Sequence, residues 1–389
     1  MRIAILTGGG DVPGLNACIK AVVRREAELE FQVIGLRRGW AGLVEYDPAD
    51  PASPAHCLMP LDRPAVRTIE NKGGTMLHTS RTDPARIKPK DLPGFLHGRF
   101  KPQQGKVAGE TTVDVTPHVL EAIEHLKLDA LIALGGDGTL TYAARLHKEG
   151  VKIISVPKTM DNDIFGTDYC IGFSTAVTRS VEAVTALRTT TGSHERVAVV
   201  ELFGRQSGET ALITGYLADA DRVLIAEVPF DMPQVAELIV RDRADNPMNY
   251  AMLVVSEGAR MVGGEAVVHG EADAYGRKRL GGIGQQVGEE IQRLTGVGFI
   301  SQSLAYLMRS GAPDSLDRMV ATSYGNLAVQ LIAQGRFGCM TAVRDGNYAV
   351  VPADTPLQGK KRVDVDALYD RGTYRPRVAE IMGKPMFLY

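Results

Sequence analysis

The chain has 389 residues, of which 44% are hydrophobic, 6% aromatic and 23% charged, with 42 Gly, 20 Pro and 1 Trp. That length supports two or three structural units with a large core, and the apolar content excludes the composition of a disordered chain. Lys and Arg number 44 against 46 Asp and Glu, a net charge of -2, which argues against a polyanion-binding surface such as a nucleic-acid face.

Residues 2–7 (RIAILT) form a short apolar run that stops at Gly8-Gly9-Gly10, and Leu15, Ile19, Val22 and Val23 then recur at helical spacing. Strand, glycine turn and helix open an α/β unit. From Pro84 to Asp114 the sequence is rich in Pro, Gly and Lys and has no periodicity. This predicts a surface excursion over 84–114, functional or mobile at that length. Thr116-Pro117 supplies a cap and a first-turn proline for a helix bearing Val119, Leu120, Ile123 and Leu126 on one face. Residues 131–134 (LIAL) read as a buried strand that ends at Gly135-Gly136-Asp137-Gly138-Thr139. Three further apolar runs follow, at 153–156, 197–200 and 253–255. They end at Pro157-Lys158-Thr159-Met160-Asp161-Asn162-Asp163, at Glu201-Leu202-Phe203-Gly204-Arg205 and at Ser256-Glu257-Gly258. Near the end, VDVDALYD reads as a short helix, and 386–389 as an apolar end that docks on the body or on another subunit.

The four cysteines, Cys18, Cys57, Cys170 and Cys339, form no Cys-x-x-Cys pair, so neither a disulfide scaffold nor a structural zinc site is expected. The opening MRIAILTGGGD holds no apolar stretch long enough for a signal peptide or a membrane span. The expectation is a soluble cytoplasmic protein with no membrane contact.

Strand after strand ends in a polar or glycine-rich loop, and ligands of parallel sheets bind outside the carboxyl ends of the strands. The loop from Thr7 to Gly14 matches neither a P-loop nor Gly-x-Gly-x-x-Gly, because Pro13 falls where the last glycine belongs. Its triple glycine still suits either a tight turn or backbone N–H contact with an anion. In the second loop, glycines permit close approach to phosphates and Asp137 offers a hard oxygen ligand for Mg²⁺. The third loop sets Asp161 and Asp163 two residues apart, with Thr159 before them. Such carboxylates can take a proton from an attacking hydroxyl, or simply satisfy the backbone of an Asx-rich turn.

Taken in order, TGGGDVPGLN, GGDGT, PKTMDND, HER, FGR, EVP and LMRSGAPDSLDR resemble the 6-phosphofructokinase family, from residue 1 to about residue 350. The 84–114 excursion and the tail stand as additions. The resemblance implies an α/β protein of two similar-sized lobes with mainly parallel sheets flanked by helices and the active site in the cleft between them. A phosphoryl-donor lobe would use 1–172 and 308–358, and a sugar-phosphate lobe 173–307 and 359–389. It further implies Mg-dependent phosphorylation of fructose 6-phosphate at its 1-hydroxyl, in glycolysis. Asp161 would be the base and Thr159 would hold the sugar end. Asp137 and Asp163 would organise Mg²⁺. The Gly10 N–H and the Arg205 guanidinium would face the transferring phosphoryl group. Arg81, Gly136, Gly138, Thr139 and Lys158 would line the donor site, and Phe203, Gly204, Glu227, Tyr306 and Arg309 the sugar site. Arg196 would reach the sugar phosphate from a neighbouring subunit, which implies a homodimer or homotetramer with shared active sites.

Within the same resemblance, Tyr306 stands where many members have histidine, and Ile300 where many have a second cross-subunit arginine. Sedoheptulose 7-phosphate is therefore an alternative sugar. The donor is ATP or pyrophosphate. Gly138 leaves room for a nucleotide where pyrophosphate users carry Asp, Lys158 is the lysine common among pyrophosphate users, and Tyr142 is larger than the usual residue beside the nucleotide. ATP is the favoured reading, with a reversible pyrophosphate enzyme as the alternative. Lys20, Arg24, Arg63 and Arg188 match basic positions of an effector pocket, or are solvated helix-face charges. Asp137, Asp161 and Arg205 together argue against a subunit that only binds nucleotide or sugar phosphate.

Overall fold

A computed structural model gives the architecture and describes residues 1–29, 31–105, 110–269, 279–377 and 382. The first part of the chain runs through β1 (Arg2–Gly8), α1 (Leu15–Leu29), β2 (Gln32–Leu36), β3 (Leu58–Leu61), α2 (Thr116–His125), β4 (Ala130–Gly135), α3 (Asp137–Lys148) and β5 (Ile153–Pro157). A long helix, α4 (Phe173–Ser193), leads to β6 (Val197–Leu202), α5 (Glu209–Leu217), β7 (Arg222–Leu224), α6 (Met232–Asp245), β8 (Ala251–Ser256), α7 (Ile283–Thr295) and β9 (Phe299–Ser303). The chain then returns through α8 (Ser315–Ala333), β10 (Cys339–Arg344) and β11 (Asn347–Pro352).

Two sheets result. The larger has the order β11-β10-β5-β4-β1-β2-β3, and its four central pairings, from β10 to β2, are parallel. The smaller, β9-β6-β8-β7, is parallel throughout. Central strands here are apolar on both faces, because helices cover both sides of a parallel sheet. The period of two sorts β1 and β4 between two cores. Ile3, Ile5, Ile132 and Leu134 pack into the core under α1 and α8, whereas Ala4, Leu6, Leu131 and Ala133 face the core with α2 and Trp40. Helix α4 belongs to both lobes: Phe173 and Val177 enter the first core, Ala176 and Val184 the second. Its start is tied to α8 by Asp317, which is fully buried and accepts hydrogen bonds from Tyr169 Oη, Gly172 N, Thr175 N and Thr175 Oγ1 at 2.6–2.8 Å.

The strand order fixes where a ligand binds. From β1 the chain steps to β2 on one side and later to β4 on the other, so the β1 and β4 loops part at a topological switch point. In the smaller sheet β6 plays the same part between β8 and β9. The carboxyl ends of the two sheets meet across one cleft.

Two expectations are refined. Thr116 does not cap α2: it is the first helical residue, with Val115 at the cap, and its hydroxyl donates to Asp114 Oδ1 at 2.6 Å. The 84–114 excursion is anchored over much of its length. Its strands Pro102–Gln104 and Thr111–Val113 pair antiparallel, and Ala85, Ile87, Leu96 and Val113 are buried in the first lobe. After residue 359 the chain crosses to the second lobe, where Val363, Tyr369 and Tyr374 join its core. The short helix read in VDVDALYD is Val365–Leu368, capped by the Asp364 side chain. Residues 386–389, expected to dock, lie outside the described residues.

Candidate active site

The cleft encloses about 630 Å³. Its first wall is the backbone after β1 and β4. Gly9 has φ +82°, a conformation that favours glycine, and a Cβ on Gly8 or Gly135 would fall 2.4 or 2.3 Å from the Thr139 side chain. Thr139 thus packs between the two loops, so the strand ends can approach only as glycines. Helix α3 begins at the cleft with Gly136 as its cap and Asp137 in its first turn. Free N–H groups of a helix start are a ready site for phosphate oxygens. The buried Lys158 side chain donates to Gly10 O and so ties the β5 loop to the β1 loop. Arg81 lines the same wall.

The turn after β5 is held from below. Asn162, with φ +52° and only 1% exposed, donates to Asp168 O and Glu209 Oε1 at 2.9 Å and accepts from Cys170 N at 2.8 Å. With Asn162 anchored inward, its two neighbours diverge. Asp161 lines the cleft, where Arg205 N donates to its Oδ2 at 3.4 Å and its own N–H donates to Thr159 Oγ1 at 3.2 Å. Asp163 turns toward Asp137, and the Lys360 ammonium stands between the two carboxylates, in contact with Asp137 and 3.7 Å from Asp163. Among the described residues no cluster of three or more His, Cys, Asp or Glu occurs. An acidic pair alone, made of hard oxygens beside a phosphate-binding helix start, suits Mg²⁺, which takes one or two carboxylates and completes its shell with phosphate and water.

The second wall consists of side chains. Arg309 sits 4.6 Å over the Tyr306 ring, 3.5 Å from Asp11 Oδ1, and so close to the first wall that a Cβ on Gly10 would lie 2.5 Å from its Nη1. Tyr306 meets Phe203 edge-on at 5.9 Å. Arg205 and Phe203 line the cleft, while Gly204, at φ +144°, packs against Ser256, whose hydroxyl donates to its carbonyl at 2.6 Å.

One expected sugar carboxylate falls elsewhere. Glu227 does not line the cleft. Its carboxylate accepts from Gly208 N and Val363 N at 3.0 Å, and burial raises its pKa above the usual carboxylate value. The cleft carboxylates on this wall are instead Glu201, which accepts from Gly282 N and Gly284 N at the start of α7, and Glu257 after β8. The run 253–255 pointed to that loop, although Glu257 was not singled out. Arg196 precedes β6, at the opposite end of the strand from Phe203 and Arg205. A strand of that length separates them by about 20 Å, so Arg196 cannot reach its own cleft. Ile300 pairs with Ala198 within the sheet and is half-buried.

A second cavity of about 490 Å³ opens beside the cleft and shares Asp137 and Gly138 with it. Arg86, Gln103 and Gln104 of the excursion and Arg145 of α3 line it. Tyr142 is part of the wall of this space, where it is 2% exposed, packs edge-on against Trp40 at 5.0 Å and donates to Thr116 Oγ1 at 3.2 Å. Of the basic set, Lys20 pairs with Glu70 at 2.6 Å and Arg63 donates to Arg24 O at 3.4 Å, whereas Arg188 donates to Ala218 O, Asp219 O and Tyr250 Oη.

Comparison with known proteins agrees with this geometry. The phosphofructokinase family model matches residues 2–332. A relative from Chloroflexus aggregans, named ATP-dependent 6-phosphofructokinase, is 39% identical over 352 residues, 90% of this chain and 89% of its own. One from Streptomyces coelicolor, named pyrophosphate--fructose 6-phosphate 1-phosphotransferase, is also 39% identical, over 375 residues, 95% of this chain and 98% of its own. Among solved structures, phosphofructokinase from Pichia pastoris in the T-state superposes with a TM-score of 0.74 at 25% identity over 92% of this chain, which spans 35% of that longer chain. With the family model covering most of its length and the glycine loops, paired carboxylates and arginines meeting in one cleft, the chain belongs to the phosphofructokinase family.

Proposed function

We propose that this protein is an ATP-dependent 6-phosphofructokinase that converts fructose 6-phosphate to fructose 1,6-bisphosphate. The observation that carries the choice of ATP is the second cavity, reached from the cleft past Asp137 and Gly138. A nucleoside needs such an annex beyond its phosphates and pyrophosphate does not. Tyr142, packed against Trp40, forms part of the annex wall without closing it. Pyrophosphate is the second reading, supported by Lys158 beneath Gly10 and by equal identity to relatives of both names.

The donor lobe comprises 1–172 and 308–358 and the sugar lobe 173–307 and 359–389. The donor's terminal phosphate lies between the Gly10 N–H and the Arg205 guanidinium, with Thr139 and the start of α3 below and Arg81 spanning it. Fructose 6-phosphate lies along the second wall, its phosphate on Arg309 and its hydroxyls toward Glu257. Asp161 takes the proton of the 1-hydroxyl as that oxygen bonds to phosphorus and the bond to the leaving phosphate oxygen breaks. Thr159, through the Asp161 N–H, and Arg205, through its own, keep the carboxylate aimed. Mg²⁺, held by Asp137 and Asp163, would neutralise charge on the donor phosphates. Arg196 completes the sugar-phosphate site of a second copy, so the working unit is a homodimer or homotetramer. Among the described residues no helix is long and apolar enough to cross a membrane. The cytoplasm is the compartment that this reading proposes.

Initial rates with Mg²⁺ and fructose 6-phosphate, supplied with ATP or pyrophosphate in parallel, test this. Activity with ATP alone is expected. Activity with pyrophosphate alone would reassign the donor to the Lys158 side, and silence with both would move attention to sugar identity around Tyr306 and Ile300.

A further inference from the structure

The acidic pair assigned to the metal already holds a cation that belongs to the chain. Lys360 lies where the returning chain passes beneath the turn after β5. Its backbone is fixed there: residue 360 bridges Ile164 antiparallel, and Lys361 N donates to Asp163 O at 3.1 Å. Just beyond Lys360 the segment is anchored in the second lobe. Lys361 Nζ donates to both carboxylate oxygens of Glu209 at 2.8 Å, and Val363 N donates to Glu227. From this fixed base the Lys360 side chain runs back to Asp137 and Asp163, so its ammonium lies between carboxylates from two different loops.

The electrostatics follow from the placement. Side-chain exposures are 26% for Lys360, 15% for Asp137 and 13% for Asp163, so water screens the group weakly. Two such carboxylates repel each other unless a cation joins them, and Lys360 supplies one charge where a divalent ion supplies two. Mg²⁺ demands direct carboxylate contact at about 2.0–2.1 Å and near-octahedral geometry. An ammonium in contact with an Asp137 oxygen takes part of that place. Lysine is a point charge on a flexible four-carbon stem, so it can swing away while Lys361 keeps the segment docked.

Resting on the reading that Asp137 and Asp163 hold the metal, we propose that Lys360 is the resident counter-ion of the metal site, occupying the pair in the metal-free protein and leaving when a divalent cation binds. The competition keeps free metal off the pair until it arrives with a phosphate donor that contributes its own oxygens.

The test uses full-length protein and Mn²⁺ alone, with free Mn²⁺ followed by electron paramagnetic resonance. Lys360→Met is expected to bind Mn²⁺ at least about tenfold more tightly than the unmodified protein, and Lys360→Arg to stay near the unmodified value. Equal binding, weaker binding or none in Lys360→Met overturns the proposal, because a lysine that merely braced the carboxylates would weaken the site when lost. Asp163→Asn separates the two levels of argument: weakened Mn²⁺ binding supports the metal site, while unchanged binding overturns that reading and this inference with it. A second measurement needs no variant. Acylation of Lys360 in the native protein, read by mass spectrometry, should rise several-fold when Mg²⁺ is added. A rate unchanged by saturating Mg²⁺ would overturn displacement.

Discussion

The two walls of the cleft are built from different material. On the donor side the surface is backbone: Gly8 and Gly135 leave room for Thr139, and Gly10 leaves room for Arg309. On the sugar side it is side chains, with Arg309 on Tyr306, Arg205 beside Asp161 and Glu257 behind them. Donor phosphates are met by N–H groups, which every residue has, so there the sequence must keep Cβ atoms out. A sugar phosphate is told apart by shape and charge, which only side chains provide. Substitutions on the first wall should therefore act by collision and on the second by loss of a specific group.

The largest effect is expected between the walls. Asp161→Ser removes the base and should lower kcat by about 10³-fold with little change in KM, since the carboxylate works in the transition state. A rise in KM with kcat intact would make Asp161 a binding group. Next come two identical changes on the donor wall. In Gly10→Ala the new methyl meets the end of the Arg309 side chain, which can swing aside. The protein should stay folded while kcat/KM for fructose 6-phosphate falls by about 10²-fold, a loss in line with a displaced charged partner. In Gly135→Ala the methyl meets the β-branched Thr139 inside the loop junction. Here stability should fall by about 2 kcal/mol, measured by denaturant unfolding. If both variants lost only stability, the Gly10–Arg309 contact between the walls would have no part in turnover.

The donor wall was the more legible of the two in the sequence, for the same physical reason. Glycine loops after apolar runs are local signals, and TGGG, GGDGT and PKTMDND each carry their strand, turn and ligand groups within a dozen residues. Five strands, β1, β4, β5, β6 and β8, follow from the apolar runs, with ends extended by one or two residues where pairing continues, whereas the other six labelled strands are not read from the sequence. The sugar wall is assembled from residues far apart in the chain, and pairwise approach is invisible without the fold. Hence the EVP motif of the resemblance points Glu227 to the sugar site, whereas its carboxylate holds the loop at Gly208. Glu257 sits at the end of a central strand of the smaller sheet and faces the cleft. Lys360 gave no local signal, because its partners lie some 200 residues earlier in the sequence. Tyr142, larger than the usual residue beside the nucleotide, does line the second cavity, but its size alone could not show that its ring packs on Trp40 and its hydroxyl on Thr116.

That exchange of carboxylates gives the next test. Glu257→Gln should raise KM for fructose 6-phosphate about tenfold, the cost of weakening a charged hydrogen bond. Glu227→Gln would set an amide against the Gly208 N–H and should lower stability while changing KM less. Equal KM effects would return Glu227 to the sugar wall.

The smallest effect concerns Glu209, which lies behind both walls, where it holds Asn162 of the metal-side turn and Lys361 of the returning segment. Burial pushes its carboxyl from the usual 4.5 up to about 7, against the pull of Lys361 and Asn162. A folded value above the unfolded one means that the native state retains a proton the unfolded chain has released. The associated stability is complete below pH 4.5 and is lost as pH rises toward about 7. Glu209→Gln removes this titration at constant shape. Unfolding midpoints of the native protein should therefore decline more steeply between pH 5 and 7 than those of the variant, with the two curves diverging over that window. Parallel curves would show that Lys361 holds Glu209 ionised throughout. The Glu209–Lys361 contact would then be a standing ion pair, and the tie between the metal-side turn and the returning segment would not change with pH.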